Sequence, residues 1–178
     1  RVIMGSGASR GMGLAGARRL RHAGARLSLG GRDTAAAEEV LGTGHAQSVG
    51  YFPYSAVDLD SAESWIAGTL NTFGRLDGLV NNAGVNRQGP INTVTEKDWD
   101  EIMAVNLKGP FLTSQQILPE MVSSGGGRII NIASVSGLYG GPTTAHYAAS
   151  KAGLISLTQV LARWGAEHNI LVNSIAPG

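Results

Sequence analysis

Cysteine is absent from the 178 residues, which excludes disulfide staples and thiolate metal sites. The four histidines, His22, His45, His146 and His168, lack ligand-like spacing, so neither a structural nor a catalytic metal is expected. An excess of one charge is also missing, because 14 Lys and Arg stand against 13 Asp and Glu for a net charge of +1. Scattered basic residues at that balance offer no electrostatic footprint for nucleic acid or an anionic membrane, and neither partner is expected. No apolar run approaches the roughly 18 residues of a membrane span, and no signal peptide precedes the first apolar stretch, so cytoplasmic residence is expected. Internal repeats, low-complexity tracts and linkers are lacking too, which leaves one domain over 1–178. The chain opens on Arg1 and enters an apolar stretch at once, so its start reads as cut.

What the chain does have is regular alternation of apolar strand-like runs with helical stretches. RVIMG reads as a buried strand, and SGASRGMG then places Gly7, Gly11 and Gly13 directly before the helical LAGARRLRHAG. Glycines there permit a tight turn and close approach of backbone to a pyrophosphate, whose charge the free N–H groups at a helix start favour. The second strand, ARLSLGGR, ends about where dinucleotide-binding folds put an acid for the ribose 2′-hydroxyl, roughly 20 residues on. Gly31 and Arg32 stand there instead. A 2′-phosphate can sit against Arg32 and against Arg10 of the glycine loop, since guanidinium forks match phosphate oxygens, and NADP(H) is expected over NAD(H).

TAAAEEVLG is helical, and YFPYSAVDLD reads as a third strand ending at Asp58 and Leu59, with Ser61 capping the helix AESWIAGTLNTF. LDGLVNNAG is the fourth strand, where Asn81, Asn82, Ala83 and Gly84 suit close backbone approach and hydrogen bonds across strand ends. Thr95, with Asp98 three residues on, caps a long helix running from Glu96 to Met121. Pro110 inside it lacks an N–H, so the carbonyl of Asn106 loses its helical partner, and Gly109 loosens the same turn. RIINIAS is the fifth strand and ends on Ser134; VSGLYGGPTTA is an irregular connection; a long helix then runs from His146 to His168, and NILVNSIAPG is the sixth strand.

Within that last helix Tyr147 and Lys151 stand four residues apart and share a face. A positive charge beside the phenol favours phenolate, which makes Tyr147 an acid/base candidate. Ser134, at its strand end, can meet the phenol and help hold an oxygen that gains charge.

With these residues in hand, the chain closely resembles the short-chain dehydrogenase/reductase family, in its classical branch, over essentially its full length. The resemblance rests on SGASRGMG, NNAG, the Asn of VNLKG, Ser134, Tyr147-Ala-Ala-Ser-Lys151 and Asn173-Ser-Ile-Ala-Pro-Gly, in the family's order and spacing. Ser6 stands where the family pattern has Thr and keeps the hydroxyl. The resemblance implies an α/β fold, a doubly wound parallel sheet of Rossmann type with helices on both faces and the cofactor at the topological switch point. It implies a catalytic tetrad of Asn106, Ser134, Tyr147 and Lys151, with the Asn106 carbonyl carrying a relay water. It also implies cofactor contacts from Gly7, Ser9, Arg10, Gly11, Met12 and Gly13, from Arg32, from Asp58 and Leu59 near the adenine, from Asn82 near its ribose, and from Tyr147 and Lys151 at the nicotinamide end. The implied chemistry is hydride transfer between nicotinamide and a small carbonyl or secondary alcohol, with Tyr147 giving the proton and Ser134 holding the oxygen.

A 3-oxoacyl carrier-protein reductase is the second expectation, because an acidic carrier protein calls for a basic rim and the loop Ser123-Ser124-Gly125-Gly126-Gly127 is uncharged. Nucleotide-sugar epimerases of the extended branch share Tyr-x3-Lys but differ in glycine spacing. A non-catalytic dinucleotide sensor has no need of Ser134. Family members are usually dimers or tetramers, and Leu154, Leu157, Leu161 and Trp164 give the long helix apolar positions for its own sheet and for a partner. The family pattern continues past Pro177-Gly178 into a nicotinamide-contacting segment, a substrate lid and a seventh strand with a closing helix, so residues 1–178 alone are expected to be poorly soluble or to bind NADP(H) weakly with little turnover.

Overall fold

The computed structural model describes residues 1–42 and 48–178, so His45 lies outside the described residues. In chain order the elements are β1 (Val2–Ser6), α1 (Gly11–His22), β2 (Arg26–Gly31), α2 (Thr34–Leu41), β3 (Val49–Pro53), α3 (Leu59–Phe73), β4 (Gly78–Asn81), α4 (Glu96–Met103), a π turn (Ala104–Lys108), α5 (Gly109–Ser123), β5 (Gly127–Ile132), α6 (Ser136–Tyr139), α7 (Ala145–Ala166) and β6 (Ile170–Ile175), with a 3-10 turn at Ile91–Thr93. All six strands join one parallel sheet in the order β3-β2-β1-β4-β5-β6. Chain direction across the sheet reverses between β1 and β4, the switch point at which such folds leave a crevice beyond the strand ends.

Parallel strands are buried from both sides, and their sequences accordingly read as near-continuous apolar runs. One core packs Met4, Leu79, Ile129 and Val172 of the sheet against Trp65 and Ile66 of α3, Ile117 and Met121 of α5 and Leu161 of α7. A smaller one packs Leu27, Leu29 and Val49 under Ala17 of α1 and Leu41 of α2. On β6, Leu171 and Ile175 are about half exposed. No helix of the described residues is long and apolar enough to cross a membrane, and no group of three or more His, Cys, Asp or Glu among them is placed to hold a metal ion.

Several boundaries differ from those expected, and among them β5 stops at Ile132, short of Ser134, and β4 at Asn81, short of Gly84. The helix α1 begins at Gly11, inside the glycine loop rather than after it. The strand β3 stops at Pro53, because its ladder with β2 ends at the Gly31–Pro53 pair. Asp58, not Ser61, then caps α3: its backbone is extended and its carboxylate accepts from the Asp60 and Ser61 amides. Ser61 instead accepts from the Ser55 amide at 3.0 Å and fastens the turn before the helix. The connection after Ser134 opens with the short helix α6.

The long helix from Glu96 is capped by Thr95, whose hydroxyl accepts from the Asp98 amide at 3.1 Å. It continues through Ser123 but passes through the π turn, where the Gly109 amide donates to Ala104, five residues back. Pro110 cannot donate to Asn106, and the backbone widens by one residue at that point. Gly109 is there for close packing: a Cβ would come within 2.6 Å of the Ala56 carbonyl oxygen.

Candidate active site

A cleft of about 650 Å³ opens over the strand ends at the switch point, bounded by residues 7–13, 29–34, 54–57 and 82–85 together with Ala36, Ala37, Glu101 and Val105. Its floor is the glycine loop. Gly7 and Gly11 have φ of +68° and +55°, and Gly13 has no room for a side chain, because a Cβ would overlap the Gly7 carbonyl and the Asn82 amide. The loop is stapled to the end of β4. Asn82 Nδ2 donates to the carbonyls of Ser6 and Gly7, each at 3.0 Å, and Ser6 Oγ accepts from the Asn82 and Ala83 amides at 3.1 and 3.0 Å. The N-terminus of α1 carries no side-chain cap and no acidic residue in its first turn, so its N–H groups stay available to an anion.

Of the residues expected at the cofactor, Gly7, Ser9, Arg10, Gly11, Met12, Gly13, Arg32 and Asn82 line this cleft. Arg10 and Arg32 are exposed at its rim and form no ion pair among the described residues. Asp58 and Leu59 are not among its lining residues; the chain facing the cleft there is Tyr54, Ser55, Ala56 and Val57. Tyr54 is held by a 2.9 Å hydrogen bond to Thr113, and burial pushes its phenol up from the ordinary value. Asp33, next to Arg32, also lines the cleft, with one carboxylate oxygen occupied in capping α2 through the Ala36 amide at 3.0 Å.

At the ends of β4 and β5 lies a buried polar assembly. Asn81 donates to Asn131 at 2.8 Å and to Ser114 at 3.1 Å, and Asn131 donates to Thr158 of α7 at 2.9 Å. These bonds tie β4, β5, α5 and α7 together, the cross-strand role expected of Asn81. Asn106, fully buried in the π turn, brackets the backbone of Val85: Oδ1 accepts from its amide and Nδ2 donates to its carbonyl, both at 2.8 Å.

Tyr147 and Lys151 project from the first turns of α7, with the Lys151 ammonium 5.7 Å from the centre of the Tyr147 ring. Lys151 is 4% exposed and donates to the Ile132 carbonyl at 2.7 Å, where β5 ends. Desolvation lowers its pKa to about 8. Ser134 follows on the same strand exit, buried, its hydroxyl accepting from the Ser136 amide at 3.1 Å. Gly137 lets α6 lie directly on α7, since a Cβ would come within 2.7 Å of the Lys151 carbonyl carbon. Gly84 joins the two regions: a Cβ there would be 3.3 Å from Asn106 Oδ1 and 3.6 Å from Lys151 Nζ. Thus Asn106 and Lys151 meet at the end of the cleft wall, and Ser134 and Tyr147 stand on the elements beside them.

Cleft, glycine loop and strand order together define a dinucleotide-binding α/β fold. Residues 1–178 match the family model described as short chain dehydrogenase, and the chain belongs to that family. It is 42% identical over 128 residues to the 3-oxoacyl-[acyl-carrier-protein] reductase FabG of Thermotoga maritima, a match covering 71% of this chain and 52% of that protein. With the enzyme of the same name from Staphylococcus aureus it shares 39% identity over 178 residues, 97% of this chain and 72% of the relative. A solved structure of 3-ketoacyl-(acyl-carrier-protein) reductase from Brucella melitensis, complexed with NADH, superposes with a TM-score of 0.93 at 28% identity over 99% of this chain and 74% of that one.

Proposed function

We propose that this chain carries the cofactor site and the reacting groups of an NADP(H)-dependent oxidoreductase that interconverts a small carbonyl compound and its secondary alcohol. The observation that carries this is the meeting of Lys151, Asn106 and the cleft-wall residue Gly84 at one end of a glycine-floored cleft. The glycine loop fits a pyrophosphate, because Gly11 faces open space in which a Cβ would meet no protein atom and the start of α1 presents uncapped N–H groups. When bound, nicotinamide supplies or accepts the hydride.

The chain's own residues handle the proton and the oxygen. In the reducing direction Tyr147 gives its proton to the carbonyl oxygen as charge develops there. Ser134 donates a hydrogen bond to the same oxygen, turning its hydroxyl proton away from the protein while its lone pair stays on the Ser136 amide. Lys151 holds positive charge beside the phenol from a desolvated site, where it acts more strongly than in water. Asn106 fixes the wall of the cleft through Val85. Preference for the 2′-phosphate rests on Arg32 and Arg10, both exposed at the rim of the cleft. The adenine would lie against the 54–57 turn, which the Asp58 amide closes by donating to the Ser55 carbonyl at 3.0 Å.

A second substrate, a 3-oxoacyl group on a carrier protein, is favoured by the 39% identity to the reductase of that name over nearly the whole chain. A panel of small ketones, a free 3-oxoacyl thioester and the same thioester on a carrier protein, run with NADPH and NADH on the full-length protein, separates the two. Oxidation of NADPH by small ketones supports the first, oxidation only by the carrier-bound thioester supports the second, and no oxidation by any of them contradicts both.

Self-association belongs to the same proposal. Leu154 and Leu161 are spent in the chain's own core, but Leu157 borders a surface groove with Met103, Leu107 and Phe111, while Val160 and Trp164 are 58% and 43% exposed on α7. A second copy meeting this face would bury it in a dimer or tetramer. Sedimentation of the full-length protein as a monomer at micromolar concentration would contradict it.

A further inference from the structure

Ser150 lies between Tyr147 and Lys151 in sequence, is fully buried, and touches neither cleft nor solvent. Its hydroxyl donates to the Tyr147 carbonyl at 2.7 Å and accepts from Asn106 Nδ2 at 3.2 Å. The orientation of the Asn106 amide is fixed by its other contact, because the Val85 N–H can only meet Oδ1 and the Val85 carbonyl can only meet Nδ2. One Nδ2 hydrogen is thereby committed to Val85, and the remaining one has Ser150 as its partner. An unbroken hydrogen-bonded path therefore runs from the cleft wall at Val85, through Asn106 and Ser150, to the backbone of the residue that bears the phenol.

We propose that Ser150 is a positioning residue, setting the cleft wall at Gly84 and Val85 in register with Tyr147 and Lys151 by holding Asn106 against α7. This rests on the carbonyl-reduction proposal above. The π turn makes such a tie necessary, since a widened turn cannot fix Asn106 by the regular helical ladder alone. The small clearance around Gly84, with Asn106 Oδ1 and Lys151 Nζ both facing it, means that a shift of the wall changes the space in front of Lys151. A displacement there alters the geometry of the reacting groups and leaves the glycine loop untouched.

The test uses the full-length protein and two variants, Ser150→Ala and Ser150→Cys, the latter keeping a weak donor and acceptor. Amide exchange at Val85 is measured along with kcat, KM and NADPH Kd. In Ser150→Ala, Val85 exchange should speed by about tenfold or more, as its bond to Asn106 loosens. Over the same comparison kcat should fall about tenfold while KM and Kd hold within about twofold. The Cys variant should lie between. Unchanged Val85 exchange overturns the proposal whatever the activity, and faster exchange with unchanged kcat also overturns it, leaving a merely structural hydrogen bond. Should the Ala variant fail to fold, the Cys variant is judged by the same two criteria. If the parent reduces no carbonyl compound, the functional proposal falls by itself, while Val85 exchange still decides whether Ser150 holds the wall.

Discussion

The two ends of the cleft are built by opposite means. Around the glycine loop the work is done by missing atoms: Gly13 sits where any side chain would strike the Gly7 carbonyl, Gly30 sits where one would strike Trp65, and the polar side chains at the rim are exposed. Around α7 it is done by atoms present and enclosed: Asn81, Asn106, Asn131, Ser150, Lys151 and Thr158 are buried and hydrogen-bonded to one another or to backbone. A site that must admit a large anion gains from open backbone. One that must place a proton donor gains from a rigid polar surround whose members all have partners. The first end should therefore fail when atoms are added, and the second when they are removed.

Adding one carbon at Gly13 is the harshest test of the first end. Gly13→Ala should weaken NADPH binding by about a hundredfold, because the loop backbone and Asn82 must both move. Isothermal titration reads this directly. On the other side, Asn131→Ala leaves Asn81 and Thr158 without their shared partner in the core, and urea unfolding should show a loss of about 2 kcal/mol.

The ammonium of Lys151 gives a smaller and pH-dependent effect. Its folded pKa, about 8, lies below the ordinary 10.5, so between these values the unfolded chain holds more protons. Stability should therefore rise with pH across that window, the cost of the buried charge being fully present below it. In Lys151→Met that contribution, about 1–2 kcal/mol after discounting for partial solvent screening, should be missing from unfolding curves taken at pH 7.5 and 10.5. At the rim, where solvent screens charge, Arg32→Asp should shift the NADPH-to-NADH affinity ratio by about tenfold toward NADH. An unchanged ratio would remove Arg32 from the 2′-phosphate site.

The contrast also explains what was legible in the sequence. Glycine spacing between a strand and a helix marks the first end, since backbone constraints leave residue-type signatures. The Tyr147–Lys151 spacing marks a helix face by the helical period alone. The irregular turn at Asn106 is marked by Pro110, whose missing N–H is a local fact, and the π turn is its structural counterpart. By contrast, Ser150 and Gly137 matter through contacts across the fold, with Asn106 and with the Lys151 backbone, and no local pattern announces them. The cap of α3 is not legible in the sequence for a related reason. Asp58 and Ser61 are both good caps, and what decides between them is where β3 leaves its ladder with β2. Once that strand ends at Pro53, the turn from Tyr54 to Val57 takes the cleft-facing place that Asp58 was expected to share.

The division between an open binding end and an enclosed reacting end is tested most directly by Tyr147→Phe in the full-length protein, with NADPH affinity and single-turnover carbonyl reduction measured on the same preparation. Only the phenolic oxygen is removed. The expected result is a fall in turnover of about a thousandfold with NADPH affinity within about twofold of the parent. Turnover retained in the Phe variant would contradict the account, because some other group would then be supplying the proton.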